Sequence, residues 1–118
     1  MAKRILIAED DQGGREIITI RARNKGYEVV AVTNGFDLLA MAAKEKFDLV
    51  ITDLLMPDLD GTSATEIMKL QRDKTPVIAL TALSPHDVLI VKSTFTKIFH
   101  KPCNYDDLFE YVELLIGK

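Results

Sequence analysis

Five short apolar runs constrain the fold of this chain more than any other feature: Arg4–Ala8 (RILIA), Glu28–Val32 (EVVAV), Asp48–Thr52 (DLVIT), Pro76–Leu80 (PVIAL) and Lys97–His100 (KIFH). The first four are nearly continuous in apolar residues rather than alternating. That pattern predicts strands covered on both faces, as in a parallel sheet between helical layers. The fifth is more polar and reads as an edge strand. Helical segments separate the runs. Gly14–Lys25 closes at Gly26, Asn34 caps Phe36–Glu45, Ser63 with Glu66 forms a capping box for Ala64–Gln71, and Asn104 caps Tyr105–Ile116. Ser84–Phe95 is the weakest helix. Pro85 suits its first position, but Val88, Ile90, Val91, Thr94 and Phe95 are indifferent helix formers.

Strand–helix alternation repeated in this way predicts an α/β fold: a flavodoxin-like (βα)5 three-layer sandwich around a parallel five-stranded sheet, with strand order 2-1-3-4-5. A chain of 118 residues accommodates one such domain, spanning residues 1–118. No apolar stretch reaches membrane-spanning length, and Met1-Ala2-Lys3-Arg4 leads directly into the first strand rather than into a secretion signal, so the expected location is cytoplasmic. The net charge of −3 argues against a nucleic-acid surface, and the lone Cys103 excludes a disulfide framework or thiolate metal site.

In open parallel sheets, ligands bind beyond the carboxyl ends of the strands. Glu9 and Asp10 follow the first strand, Asp53 the third, Thr81 the fourth and Lys101 the fifth, while the second delivers Thr33 and Asn34 off to the side. Taken singly, each has an ordinary explanation: a turn aspartate, a helix-capping threonine, a solvated lysine. Together at one rim they describe a site. Neighbouring carboxylates repel, and Mg2+, a hard cation with oxygen ligands, relieves that repulsion. Asp10, Asp53, Glu9 through water and the backbone carbonyl of Leu55 make a reasonable ligand set. An aspartate beside Mg2+ is also a nucleophile toward phosphorus, with Lys101 and the Thr81 hydroxyl supplying charge and a hydrogen bond to the phosphoryl oxygens.

The stretch VITDLLMPDLDG holds three aspartates, Asp53, Asp58 and Asp60. Asp58-Leu59-Asp60-Gly61-Thr62 matches the D-x-D-G-T letters of haloacid-dehalogenase-type phosphatases. That family carries the motif directly after a strand, whereas here Met56 and Pro57 intervene and proline is implausible in a strand. The segment reads better as a turn opening the third helix.

With ILIAEDD at the first strand, DLVITDLLMPDLDG at the third, VIALTA at the fourth and Lys101-Pro102 after the fifth, the chain resembles the receiver domain of two-component response regulators, the chemotaxis-Y-like fold, over essentially its whole length. The resemblance implies that Asp53 is the phosphoacceptor, Asp10 the direct Mg2+ ligand, Asp11 the start of the first helix, Thr81 the switch hydroxyl and Lys101 the lysine of the motif. The phosphoryl donor would be a phosphohistidine on a sensor histidine kinase or phosphotransfer protein. The output would be altered binding to a downstream effector protein or domain, with no direct nucleic-acid or membrane contact. Such a domain catalyses only its own phosphorylation and slow dephosphorylation and is not a turnover enzyme.

Departures from the family pattern cluster near the fifth strand. Ile98 occupies the position of the usual aromatic switch partner, and Phe99 should point to the other sheet face. The segment before the fifth strand lacks the usual Gly-Ala pair, so the Ser84–Phe95 region should be shortened or irregular and part of the signal should leave by another surface, with Tyr105 and Tyr111 as candidates. The positions that tune hydrolysis in the family are Leu55 and Leu83, which predicts slow loss of phosphate. His86, His100 and Cys103 read as surface or edge residues, with exposure after Pro102 leaving the thiol open to modification. Two other functions share this fold. A flavodoxin-type carrier needs a Ser/Thr/Gly phosphate loop where this chain has Glu9-Asp10-Asp11. A pseudo-receiver, a phosphorylation-independent interaction module, would lack acceptor chemistry that these residues retain.

Overall fold

A computed structural model describes residues 2–118. Five strands, β1 (Arg4–Ala8), β2 (Glu28–Val32), β3 (Leu49–Thr52), β4 (Val77–Thr81) and β5 (Lys97–His100), form one sheet in the order β2-β1-β3-β4-β5. All neighbours pair in parallel. The helices are α1 (Gln12–Asn24), α2 (Gly35–Lys44), α3 (Gly61–Leu70) and α4 (Tyr105–Ile116). Strand alternation sends Ile5, Ile7, Leu49, Ile51, Ile78 and Leu80 toward α1 and α4. Leu6, Ala8, Val50, Val77 and Ala79 face α2 and α3. The sheet is therefore the middle of three layers, with a core on each side.

Capping explains most helix boundaries. Asp11 accepts the Gly14 amide at 2.7 Å, Asn34 the Asp37 amide at 2.8 Å and Asn104 the Asp106 amide at 2.8 Å. Helix α1 ends before Gly26, whose φ of 94° suits a residue without Cβ. The α3 cap corrects the expected one: Asp60, not Ser63, is the N-cap, taking the Ser63 amide at 2.7 Å and its hydroxyl at 3.0 Å.

Two further expectations fail for physical reasons. Strand β2 is covered only in part: Val29 packs into one core and Val30 and Val32 into the other, but Glu28 and Ala31 are exposed at this edge of the sheet. Ser84–Phe95 is not an α-helix. Ser84 makes a local cap with Asp87, accepting its amide at 3.2 Å, but the chain then turns through i→i−3 bonds such as Val91 N–H to Val88 O at 3.1 Å. It forms only a 3-10 turn at Lys92–Thr94. Val88 and Phe95 are buried in the α2/α3-side core while Ile90 is 93% exposed. The β-branched run in this segment has no helical stripe to bury. The shortened, irregular connection expected on the family pattern is thus what the chain adopts.

Candidate functional site

The rim site follows from strand register. Ala8 pairs with Thr52 across β1 and β3, so the next residue on each strand, Glu9 and Asp53, emerges at the same height. Backbone bonds hold both ends: the Glu9 amide to Val32 O at 3.0 Å and the Asp53 amide to Ala8 O at 3.0 Å. Beyond β5, the Lys101 amide donates to Thr81 O at 2.7 Å, which brings that side chain across β4 to the β1/β3 rim. The Lys101–Pro102 peptide bond is cis.

Carboxylate oxygens of Glu9, Asp10 and Asp53 all lie within 4.8 Å of one another. Three anions at that spacing, two of them largely shielded from water, make an oxygen-donor set that fits a hard divalent cation. The Lys101 ammonium hydrogen-bonds Glu9 Oε1 and, at 2.7 Å, Asp53 Oδ2. The Glu9 and Asp53 side chains are only 7% and 11% exposed, so these charges are weakly screened. Burial pushes the Glu9 carboxyl pKa above the ordinary range, with the Asp53 charge acting the same way, and the Lys101 hydrogen bond only partly offsets this. Burial works to lower the Lys101 pKa, but its bonds to Asp53 and Glu9 prevail and raise it. The other Asp53 oxygen accepts the Leu55 amide at 3.2 Å. The Leu55 side chain points largely into solvent, 58% exposed.

Of the residues expected from the sequence, Glu9, Asp10, Asp53 and Lys101 come together, while Leu55 meets the central carboxylate through its amide, a different backbone group from the carbonyl expected to face the metal. Thr81 sits at the same rim, fully buried, but its hydroxyl accepts the Leu83 amide at 3.1 Å and makes no hydrogen bond to Asp53. The remaining aspartates build structure: Asp58 occupies a turn at φ 68° and Asp60 caps α3, which removes the strand context a phosphatase motif requires. Phe99 packs toward α4, edge-on to Tyr111 with centroids 5.8 Å apart, whereas Ile98 joins the opposite core. His100 lies on the edge strand β5 as expected, half-buried and tied through Nδ1 to Leu83 O at 2.9 Å, so it also braces the loop after β4. Cys103 is half-buried as well; burial and the Asp107 charge push its thiol pKa up, which disfavours the reactive thiolate.

Two features were not read from the sequence. A cavity of about 140 Å³ lies beneath the carboxylates, bounded by Glu9, Asp53, Lys101, Gly14, Ile18 and Tyr105. Arg15, on the first turns of α1, folds back onto the β1–α1 loop and donates to Glu9 O at 2.9 Å and Asp10 O at 3.3 Å. Its only signal in the sequence is a cation near a helix start, where the helix dipole disfavours one.

Comparison with known proteins agrees with this geometry. The family model described as response regulator receiver domain matches residues 5–113. Transcription factor SKN7 of Candida albicans is 33% identical over 107 residues, covering 89% of this chain but only 19% of its own length. The signal receiver domain of a signal transduction histidine kinase from Syntrophus aciditrophicus superposes with a TM-score of 0.91 at 33% identity, covering 98% of this chain and 91% of that one. Response regulator TrrA of Thermotoga maritima, solved in complex with Mg2+ and BeF, has a TM-score of 0.88 at 29% identity and coverages of 96% and 98%. Among the described residues no helix is long and apolar enough to cross a membrane.

Proposed function

Because the chain belongs to the response regulator receiver family, we propose that residues 1–118 form one phosphoacceptor domain in which Mg2+-dependent transfer of a phosphoryl group to Asp53 switches partner binding. The observation that carries this reading is the convergence of Glu9, Asp10 and Asp53 around one point with Lys101 bonded to two of them.

A carboxylate oxygen of Asp53 attacks phosphorus, and the bond from phosphorus to the donor's imidazole nitrogen breaks as the imidazole leaves with that electron pair. The product is an acyl phosphate on Asp53. Asp10 and Asp53, with the Leu55 carbonyl and Glu9 through water, would hold Mg2+, which when bound would neutralise charge on the phosphoryl oxygens. Lys101 offers its ammonium to the same oxygens. Thr81, released from the Leu83 amide, donates its hydroxyl to one of them, and the loop after β4 follows that hydroxyl. That rearrangement biases an existing two-state equilibrium and so alters affinity for a partner. The donor is a histidine kinase or phosphotransfer protein and the receiver of the signal is an effector protein or domain. The domain is not a turnover enzyme; it acts on itself, in the cytoplasm.

Incubation with Mg2+ and acetyl phosphate, read by intact mass, tests this directly. The parent should gain one phosphoryl group and Asp53→Asn none; an Asp53→Asn protein labelled like the parent would overturn the assignment, and an unlabelled parent would favour a phosphorylation-independent module.

The lifetime of the acyl phosphate depends on what can orient an attacking water. Leu55 and Leu83 have no side-chain hydrogen-bonding groups, so neither can orient a water toward Asp53, whose Oδ1 accepts the Leu55 amide at 3.2 Å. Leu55→Asn should therefore lose phosphate about tenfold faster, the equivalent of one hydrogen bond of roughly 1.4 kcal/mol. Decay of the mass adduct after removal of donor measures it, and equal lifetimes would show that a hydrogen-bonding side chain at Leu55 does not reach the attacking water.

A further inference from the structure

We propose that Arg15 is a positioning residue for the divalent cation: its guanidinium clamps the main chain of the acidic pair so that Glu9 and Asp10 both aim at the point shared with Asp53. The inference rests on the receiver reading of the site. Arg15 Nη1 donates to Glu9 O at 2.9 Å and to Asp10 O at 3.3 Å, the main-chain carbonyls of the acidic pair itself. Its own amide makes the first helical bond of α1, to Asp11 O at 2.9 Å, which anchors the backbone from which the side chain reaches back.

Beyond the Asp11 cap, the first turn of α1 favours this grip over helix stability. The first turn contains no acidic residue, although the dipole favours one. Gly13 and Gly14 are poor helix formers. A Cβ on Gly14 would lie 3.2 Å from both Asp11 Oδ2 and Glu9 Oε1, so a side chain there would press on the acidic loop. Arg15 is half-buried, and the carbonyls it holds belong to residues whose side chains carry repelling charges. A fixed cation behind that loop lowers the cost of holding the carboxylates together and keeps them together before the metal arrives. A clamp of this kind acts on cation affinity, not on the phosphoryl group, which it does not touch.

Mg2+ titrations of isotope-labelled protein followed by amide chemical shifts, with phosphorylation by acetyl phosphate at Mg2+ concentrations raised to a plateau and a thermal melt, separate the roles. Arg15→Ala should bind Mg2+ about tenfold more weakly, in the range for loss of a group that orients metal ligands. Its plateau rate should be unchanged, and Arg15→Lys, which retains the charge but not the planar guanidinium, should recover part of the affinity. An Arg15→Ala protein with parental Mg2+ affinity, or with a plateau rate that falls in step with affinity, overturns the assignment. If that variant does not fold, Arg15→Gln is judged by the same two outcomes. A parent that shows no Mg2+-dependent shifts sinks the receiver reading itself, whereas a normal parent beside an unmoved Arg15→Ala sinks only the clamp.

Discussion

Lys101→Met should bind Mg2+ more tightly than the parent and take up phosphate far more slowly. The two effects have opposite sign because the ammonium plays opposite parts in the two steps. Before transfer it competes for the carboxylates a cation needs, bonding Glu9 and, at 2.7 Å, Asp53 Oδ2. Unit charges about 4 Å apart interact by roughly 4 kcal/mol at a near-surface effective dielectric, so losing a part of that repulsion is enough for about a tenfold gain in affinity. During transfer the incoming oxygens carry negative charge, and the ammonium, 29% exposed and fixed by two carboxylates, is a preorganised donor to them. Losing such a donor costs about a hundredfold in rate, roughly 2.7 kcal/mol. Methionine keeps the apolar stem, so packing is not the variable. The gain in affinity should also grow with pH. Glu9 already has a raised pKa because burial outweighs its partners, and deleting Lys101 removes the group that lowers it. The proton on Glu9 then leaves only at higher pH, and metal binding must wait for it. For the same reason Glu9 contributes to folding stability in acid, and that contribution fades as pH rises above the ordinary value of 4.5 through the folded one. Mg2+ titrations at several pH values with single-turnover rates at saturating metal separate the two steps; affinity and rate falling together would mean that Lys101 merely holds the rim in shape.

Such contrasts show which parts of the molecule sequence reasoning can reach. Sheet order and strand ends were legible because a parallel sheet converts chain position into height: once Ala8 and Thr52 are partners, the residues after them must share a rim. That is why Glu9, Asp10 and Asp53 could be placed together from the apolar runs alone. Burial of β2 was not legible, since EVVAV is as apolar as the inner strands and only its place at the end of the order leaves it partly uncovered. The region between Ser84 and Phe95 was legible as a weak helix and no further, because its local signals conflict: a cap that forms at Ser84 and Asp87, followed by β-branched residues with no stripe to bury. Side-chain direction was the real limit. Thr81 was found at the rim, but nothing in VIALTA says that its hydroxyl would turn to the Leu83 amide. Arg15 reaches back from α1 to the Glu9 and Asp10 carbonyls, a contact that leaves no periodic mark in the sequence.

Gly61→Ala, at the first residue of α3, should lower stability strongly, and the reason is space rather than backbone conformation. Gly61 is not among the residues with positive φ. A Cβ built on it would stand 2.0 Å from Asp53 O, 3.0 Å from Asp53 C and 2.9 Å from Thr52 Oγ1. The first two are main-chain atoms of the acceptor residue, which cannot rotate away. Nor can α3 retreat easily: Ala64, Thr65 and Met68 are buried, and the Gly61 amide donates to Leu54 O at 3.0 Å. Overpacking of this kind costs about 3 kcal/mol, the upper end of the usual range, which for a domain of this size lowers Tm by about 10–15 °C. The protein that still folds must move either the helix or the end of β3, so Asp53 should also shift against Lys101 and phosphoryl uptake should fall with stability. Gly26→Ala provides the contrast. There φ is 94° and nothing lies within 4 Å of the added carbon, so the strain is purely conformational, about 1 kcal/mol, and far from the rim. It should melt lower by a few degrees yet take up phosphate at the parental rate. Thermal melts and acetyl phosphate labelling of both variants read the difference; a Gly61→Ala protein with parental Tm and parental uptake would show that the close approach of α3 to the acceptor strand is not what holds Asp53 in place.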